Sequence, residues 1–161
     1  MTDLSLQSDY YWGFFDGAQQ KGICGGGFIL HLTQTHFFHG RLGCGLGSNT
    51  RSKLLALWGL LIFAQKHQMD KLQIFDDSKV IVDWINGRSK LQVNALGHWC
   101  HRVLDLRKTF TDVSFNHVYR EGNQVADYQS KKAPFIEEGT LHFEEFLENK
   151  LITHDNLTFY K

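Results

Sequence analysis

The spacing of apolar residues changes once along this chain of 161 residues, and that change constrains the fold more than any other feature. Three early runs are Tyr10-Tyr-Trp-Gly-Phe-Phe-Asp16, Gly22-Ile-Cys-Gly-Gly-Gly-Phe-Ile-Leu-His-Leu32 and His36-Phe-Phe-His-Gly-Arg-Leu42. They are short, rich in aromatic and aliphatic residues, and parted by brief polar turns, so they predict strands in an antiparallel meander. Then Leu54, Leu57, Leu61 and Ala64 recur at helical spacing behind Asn49 or Thr50 as the candidate N-cap. Leu72–Phe75 reads as a strand, Ser78–Ile85 as a helix closed by Asn86-Gly87, and Leu91–Phe110 as a third helix or a broken pair. Val113–Tyr119 alternates as a half-buried strand does, and Gly122–Lys132 reads as a last helix. The order β-β-β-α-β-α-α-β-α predicts an α/β fold: a mixed sheet with helices on its faces.

Composition supports a folded domain and narrows its partners. At 42% hydrophobic residues the chain has enough apolar material for a core. Leu54–Ala64, the longest apolar candidate, falls well short of the roughly 18 residues a membrane helix needs, so no membrane partner is expected. The opening MTDLSLQSDY lacks the basic head and apolar stretch of a secretory leader. Cys24, Cys44 and Cys100 form no CxxC pair, which fits reduced thiols in a nuclear or cytoplasmic setting. A net charge of zero conceals a split: residues 1–133 carry 15 basic and 11 acidic groups, residues 134–161 carry 2 and 6. A polyanion partner for the first part is compatible with that local excess; a histone-like binder is not. The Gly25-Gly26-Gly27 run lacks the Lys-Ser/Thr of a phosphate loop, which argues against an ATP site.

Candidate chemistry lies in aspartates on separate elements. Asp16 closes the first predicted strand, Asp77 follows the strand Leu72–Phe75, and Asp127 sits a turn into the last helix. Sheets of this kind gather functional groups at the carboxyl ends of central strands. Three converging carboxylates would make a hard-oxygen site for Mg²⁺ or Mn²⁺. Taken singly, each has an ordinary reading: Asp16-Gly17 as a turn, Asp77 or Ser78 as an N-cap, Asp127 as a surface charge.

Five blocks carry a family resemblance. Phe14-Phe-Asp-Gly-Ala18, Gly22-Ile-Cys-Gly-Gly-Gly27, Ser48-Asn-Thr-Arg-Ser-Lys-Leu-Leu-Ala-Leu-Trp58, Asp77-Ser-Lys-Val-Ile-Val-Asp-Trp-Ile-Asn86 and His117-Val-Tyr-Arg-Glu-Gly-Asn-Gln-Val-Ala-Asp127 together resemble ribonuclease H. The nearest type is the plant reverse-transcriptase-like one found at the ends of non-LTR retrotransposon polyproteins. The resemblance spans residues 10–133, leaving 1–9 and 134–161 as extensions. It implies an RNase H-like five-stranded sheet, three antiparallel strands followed by two parallel ones, flanked by helices. It also implies two-metal hydrolysis of the RNA strand of an RNA–DNA hybrid, with Mg²⁺ or Mn²⁺ as cofactor. On that pattern Asp16 bridges both ions, Asp77 holds one and Asp127 the other. The implied partners are the hybrid and the reverse transcriptase part of a larger polyprotein.

One departure from the family pattern outweighs the rest. The fourth acid, a glutamate on the first long helix, is replaced by Lys53, and Gly17 through Met69 contains no Asp or Glu that could substitute. An ammonium about 4 Å from a divalent ion repels it by roughly 8 kcal/mol at an effective dielectric near 20. A lysine can bend towards water and relieve part of this. The expectation is that one of the two ion sites fills poorly and that cleavage is weak or absent, with the Lys53 ammonium standing in for a cation beside Asp16 and Asp77. A catalytically silent nucleic-acid-binding or protein-interaction module on the same fold is the alternative. Asp76 stands where the pattern has a small residue, as an aid to metal attraction or a group facing solvent. Gln129, where an apolar residue is expected, suggests relaxed packing.

Several groups qualify as nucleic-acid contacts. Asn49, Thr50 and Arg51 open the helix that carries Lys53, and helix N-termini suit phosphate oxygens. Capping by Asn49 beside an exposed arginine is the plainer account. Gln19, Gln20 and Gly22 occupy a hairpin that the resemblance brings to the minor groove, where 2′-hydroxyls distinguish RNA; on composition alone they make a turn. Ser78, Arg120 and Asn123 are supporting candidates, Ser78 as a cap and the other two as orienters of Asp127 or caps of its helix. His117 reads as a packed strand histidine. In the acidic tail, residues 143, 146, 147 and 151 are apolar at a spacing that predicts an amphipathic turn or two docked on the domain's own core.

Overall fold

A computed structural model describes residues 6, 9–91 and 94–161. Strands β1 (Tyr11–Gln20), β2 (Ile23–His31) and β3 (His36–Leu46) form the antiparallel meander, followed by the long helix α1 (Asn49–Lys66). Next come β4 (Lys71–Asp76), the short helix α2 (Lys79–Ile85), α3 (Gly97–Arg107), β5 (Asp112–His117) and α4 (Gln124–Lys132). The tail adds β6 (Thr140–Leu147) and β7 (Lys150–Thr158). In space the order is β5-β4-β1-β2-β3-β6-β7, with β1/β4 and β4/β5 parallel and the other pairs antiparallel.

The α/β class and the mixed sheet agree with the sequence reading, but the sheet has seven strands among the described residues rather than five. The two extra strands come from the tail, which is a hairpin and not a helical turn. Its two-residue loop, Glu148-Asn149, has φ of 52° and 64°. Such a left-handed pair matches the twist of flanking strands. Phe143 packs near Phe38 and Phe63 on one face, whereas Phe146 stacks on Phe37 on the other. Beyond β7, Phe159 and Tyr160 close over Trp58.

Burial of both sheet faces supplies the main driving force. Leu54, Leu57, Leu60 and Leu61 of α1 are fully buried against Phe15, Phe28, Leu30, Leu72 and Ile74, and α3 adds Trp99, Val103 and Leu106. Each such side chain contributes about 2 kcal/mol from leaving water. A smaller cluster, Phe14, Ile29, Phe75, Val118 and Ala126, lies on the opposite face under α4. The glycine run in β2 is a packing device. A Cβ at Gly26 would lie 2.9 Å from Ala56 of α1, and one at Gly27 would collide with the Ser130 backbone of α4. Only bare backbone lets both helices approach so closely.

Some boundaries shift. Ser48, not Asn49 or Thr50, caps α1, accepting a hydrogen bond from the Arg51 amide at 3.3 Å. The third predicted helix is shorter than Leu91–Phe110: a 3₁₀ turn, Asn94–Leu96, runs directly into α3, and Gln92 and Val93 lie outside the described residues. Another 3₁₀ turn, Arg120–Asn123, leads into α4. Gln129 does not mark loose packing: it is buried, takes a hydrogen bond from Arg41 Nε at 2.6 Å and contacts His39 Nδ1 at 3.3 Å.

Candidate active site

Asp16 lies within β1 rather than at its end. The parallel partner β4 stops pairing at Phe14↔Phe75, while β1 continues against β2 as far as Gln20. Asp16 therefore begins the stretch where the sheet has lost a neighbour, and α1 closes the gap. The fit is tight, because a Cβ at Gly17 would run into the backbone of Ser52 and Lys53. Ser52 Oγ reinforces the contact by donating to Ala18 O at 2.9 Å. These contacts set the first turns of α1, and with them Lys53, against Asp16.

The ammonium of Lys53 stands 3.6 Å from Asp16 Oδ1 and 3.6 Å from Asp77 Oδ1. Burial works against that charge, but Asp76, Asp16 and Asp77 outweigh it and hold the Lys53 pKa above the ordinary lysine value. Ser78 caps α2 through its hydroxyl, accepting from the Ile81 amide at 3.4 Å, which leaves the Asp77 side chain free of that task. Asp77 Oδ1 is buried without a hydrogen bond, so the Lys53 charge is what compensates it.

Of the two readings of Asp76, the solvent-facing one is wrong: the residue is fully buried, and its Oδ2 accepts the Ser78 amide at 3.0 Å. Its oxygen groups with those of Asp16 and Asp77 inside 4.8 Å, making the acidic triad of the described residues. Asp127 is not part of that triad. It lines the same cavity, of about 470 Å³, together with Asp16, Gly17, Asn49, Lys53, Asp77, Arg120 and Lys131. Its carboxylate pairs with Lys131 at 2.9 Å. Burial, then Asp77, raise the Asp16 pKa to about 6, against the pull of Lys53 and the Gly17 amide. Burial also lifts Asp76 well above the carboxylate range, with Lys53 opposing.

Of the supporting candidates, Asn123 neither orients Asp127 nor caps α4 with its side chain. Its buried amide donates to Phe15 O at 2.9 Å and to Asp76 Oδ1 at 3.3 Å, tying β1, β4 and the start of α4 together. Arg120 lines the cavity, and its side chain bonds nothing among the described residues, Asp127 included. His117 is exposed rather than packed, with a ring nitrogen 3.2 Å from Asp77 O.

Among the proposed nucleic-acid contacts, Asn49 is exposed at the cavity mouth and Thr50 lies half-buried beside it. Arg51 turns away to the tail, donating to Cys44 O at 2.9 Å and pairing with Glu138 at 3.4 Å. Gln19 spends its amide on Gly47 O at 2.8 Å. Gln20 is exposed, and Gly22 takes φ of 82° in the hairpin turn.

The Asp16, Asp76 and Asp77 oxygens are grouped closely enough to hold one metal ion, but a second ion beside it meets the Lys53 ammonium. Two ions held close together would need Asp16 and Asp77 oxygens that the Lys53 ammonium already engages. What the arrangement does offer is a polar cavity in which Lys53, Arg120 and Lys131 face Asp16, Asp77 and Asp127.

Residues 14–133 match the reverse transcriptase-like family. Among solved structures, an RNase H1 from the halophilic archaeon Halobacterium salinarum NRC-1 superposes with a TM-score of 0.72 at 24% identity, over 77% of this chain and 96% of its own. The N-terminal RNase H domain of a Mycobacterium tuberculosis protein gives 0.69 at 21% identity, over 77% and 98%. LC11-RNase H1, isolated from compost by a metagenomic approach and solved in complex with an RNA/DNA hybrid, gives 0.62 at 19%, over 76% and 95%. At these identities the likeness is one of fold. No curated protein matches the chain.

Proposed function

The chain belongs to the reverse transcriptase-like family, and from that membership we propose that it binds RNA–DNA hybrids on an RNase H-type surface while cutting them weakly or not at all. The observation that carries the second half is the Lys53 ammonium, 3.6 Å from both Asp16 and Asp77. Hybrid binding is supported by the fold shared with LC11-RNase H1, whose structure holds an RNA/DNA hybrid. Residues 10–133 are the binding unit in this reading, and 134–161 an extension that braces β3 and α1.

The chemistry follows from which groups are already engaged. In a two-metal site the ions would activate a water and stabilise the leaving oxygen. Here Lys53 supplies a single positive charge that compensates the neighbouring carboxylates but does not acidify water as a divalent ion does. Asp16 and Asp77 hold that ammonium in place, and Lys131 holds Asp127. None of the three is left free to take a proton from an attacking water while also binding a metal. In this reading the pocket positions a backbone better than it breaks one.

The test is a labelled RNA–DNA hybrid incubated with Mg²⁺ and with Mn²⁺, wild type beside Lys53→Glu. Salt-dependent binding by both proteins, with cutting gained only in the variant, is the expected result. Equal cutting by both proteins overturns the role given to Lys53.

A further inference from the structure

Three cations line the cavity, and two of them are engaged. Lys53 faces Asp16 and Asp77, and Lys131 faces Asp127. The Arg120 side chain has no hydrogen bond, ion pair or ring contact among the described residues, although it lines the same cavity. Its backbone is well fixed. It opens the 3₁₀ turn Arg120–Asn123, in which the Gly122 amide donates to Tyr119 O at 2.9 Å and Asn123 is anchored in the interior. An exposed guanidinium on a hydrogen-bonded turn loses little further backbone freedom when it binds, and its planar fork matches phosphate oxygens in pairs.

The neighbouring surface of α4 carries a second unexplained feature. Tyr128 is 54% exposed, on a helix whose other side is buried through Ala126, Gln129 and Ser130. The Lys132 ammonium lies 4.2 Å from the Tyr128 ring centroid. The pair sits on α4 on either side of Lys131 in the chain, and Lys131 helps to form the cavity wall. An exposed ring bearing a cation supplies an apolar plane for a sugar or base and a charge for the adjoining phosphate. Neither side chain is buried among the described residues.

We propose that Arg120 at the cavity wall, and Tyr128 with Lys132 on α4 next to Lys131, contact the sugar–phosphate backbone of the bound nucleic acid just outside the acidic pocket. The proposal rests on the hybrid-binding reading above and adds the residues that grip the backbone. Charge complementarity selects the occupant, because the flank presents cations and a ring while the carboxylates are held inward by Lys53 and Lys131. A polyanion lying across the pocket meets the free guanidinium first.

Fluorescence anisotropy of a labelled hybrid, titrated with NaCl, tests this. Arg120→Ala is expected to weaken binding about tenfold and to lower the salt slope by about one unit. Arg120→Lys should retain most of the slope while losing part of the affinity, since the charge survives and the fork does not. Tyr128→Ala should weaken binding several-fold with the slope unchanged. Lys108→Ala, an exposed cation at the end of α3, serves as the control and leaves both unchanged. Because Arg120 and Tyr128 are exposed, all variants should melt within about 2 °C of wild type, a shift of a few tenths of a kcal/mol. Wild-type affinity and slope in Arg120→Ala overturn the assignment while leaving hybrid binding standing. Weak, salt-independent binding by the wild type overturns the hybrid reading itself.

Discussion

Arg51 reaches back from the first turn of α1 to Glu138 of the tail, 3.4 Å away, and donates its Nε–H to Cys44 O at 2.9 Å. Its guanidinium also lies over the Trp99 ring, 5.7 Å from the centroid. The arginine that opens the long helix is therefore a brace between helix, strand and tail, and its donors face the protein. Arg51→Ala should cost about 1–2 kcal/mol of stability, mostly from the lost carbonyl bond and ring packing, since Glu138 is half exposed and a pair of that kind contributes little. Urea unfolding measures that loss. The salt slope of hybrid binding should stay at its wild-type value, and a drop of one unit would restore Arg51 to the phosphate contacts.

Gly17 transmits the position of α1 to Asp16. A Cβ there meets backbone atoms of Ser52 and Lys53, which cannot swing aside as a flexible side chain would. Gly17→Ala should destabilise the fold by about 2–3 kcal/mol, as overpacking at a rigid contact does. The same displacement should move the Lys53 ammonium away from Asp16. Denaturation midpoints report the first effect and a crystal structure of the variant the second. A variant as stable as wild type would show that the contact yields easily.

The meander and the long helix were legible in the sequence because each rests on local pattern, apolar spacing and turn residues, whereas the meeting of Asp16, Asp77 and Lys53 was what the resemblance to ribonuclease H implied. The position of Asp76 was not legible. Adjacent aspartates after a strand look solvent-facing, whereas the buried Asp76 carboxyl is met by the Ser78 amide and by the side chain of Asn123, 47 residues away in the chain. The tail misled for a different reason. Apolar residues at 143 and 146 lie on one side of a helix but on opposite sides of a strand, and this hairpin has aromatic neighbours on both. The left-handed Glu148-Asn149 loop was the missed signal.

Gln129 joins α4 to β3 by accepting from Arg41 Nε at 2.6 Å and contacting His39 Nδ1 at 3.3 Å. Replacing it with leucine keeps the volume but leaves a half-buried guanidinium N–H without its acceptor. Gln129→Leu should therefore cost about 1–3 kcal/mol even though the new side chain is more apolar. Glu144, 3.6 Å from Arg41, limits the loss by holding the other end of the guanidinium. Urea midpoints of Gln129→Leu, Arg41→Met and the double variant give the coupling between them. Additive losses would mean the bond contributes nothing.

Two carboxyls and two imidazoles make opposing contributions to the pH dependence of stability. Burial, then Asp77, raise Asp16 from 3.8 to about 6, and burial raises Asp76 further in the same sense. The folded state therefore binds these protons more tightly than the unfolded state does. The stabilisation from Asp16 is full below its unfolded value and is lost as pH rises through about 6. Burial lowers His39 from 6.5 to about 4, with Glu144 opposing, and burial also lowers His31. The stabilisation from His39 is present above 6.5 and is lost as pH falls towards 4. Between these limits the two kinds of group offset each other, so wild-type stability should change little with pH. Each proton removed from the balance tilts the curve by up to about 1.4 kcal/mol per pH unit. Asp16→Asn leaves the imidazoles dominant, so stability should rise from pH 4.5 to 6.5; His39→Gln leaves the carboxyls dominant, so it should fall. Urea midpoints across that range decide the matter, and slopes of the same sign in both variants would contradict the assignment of opposite protonation preferences to Asp16 and His39.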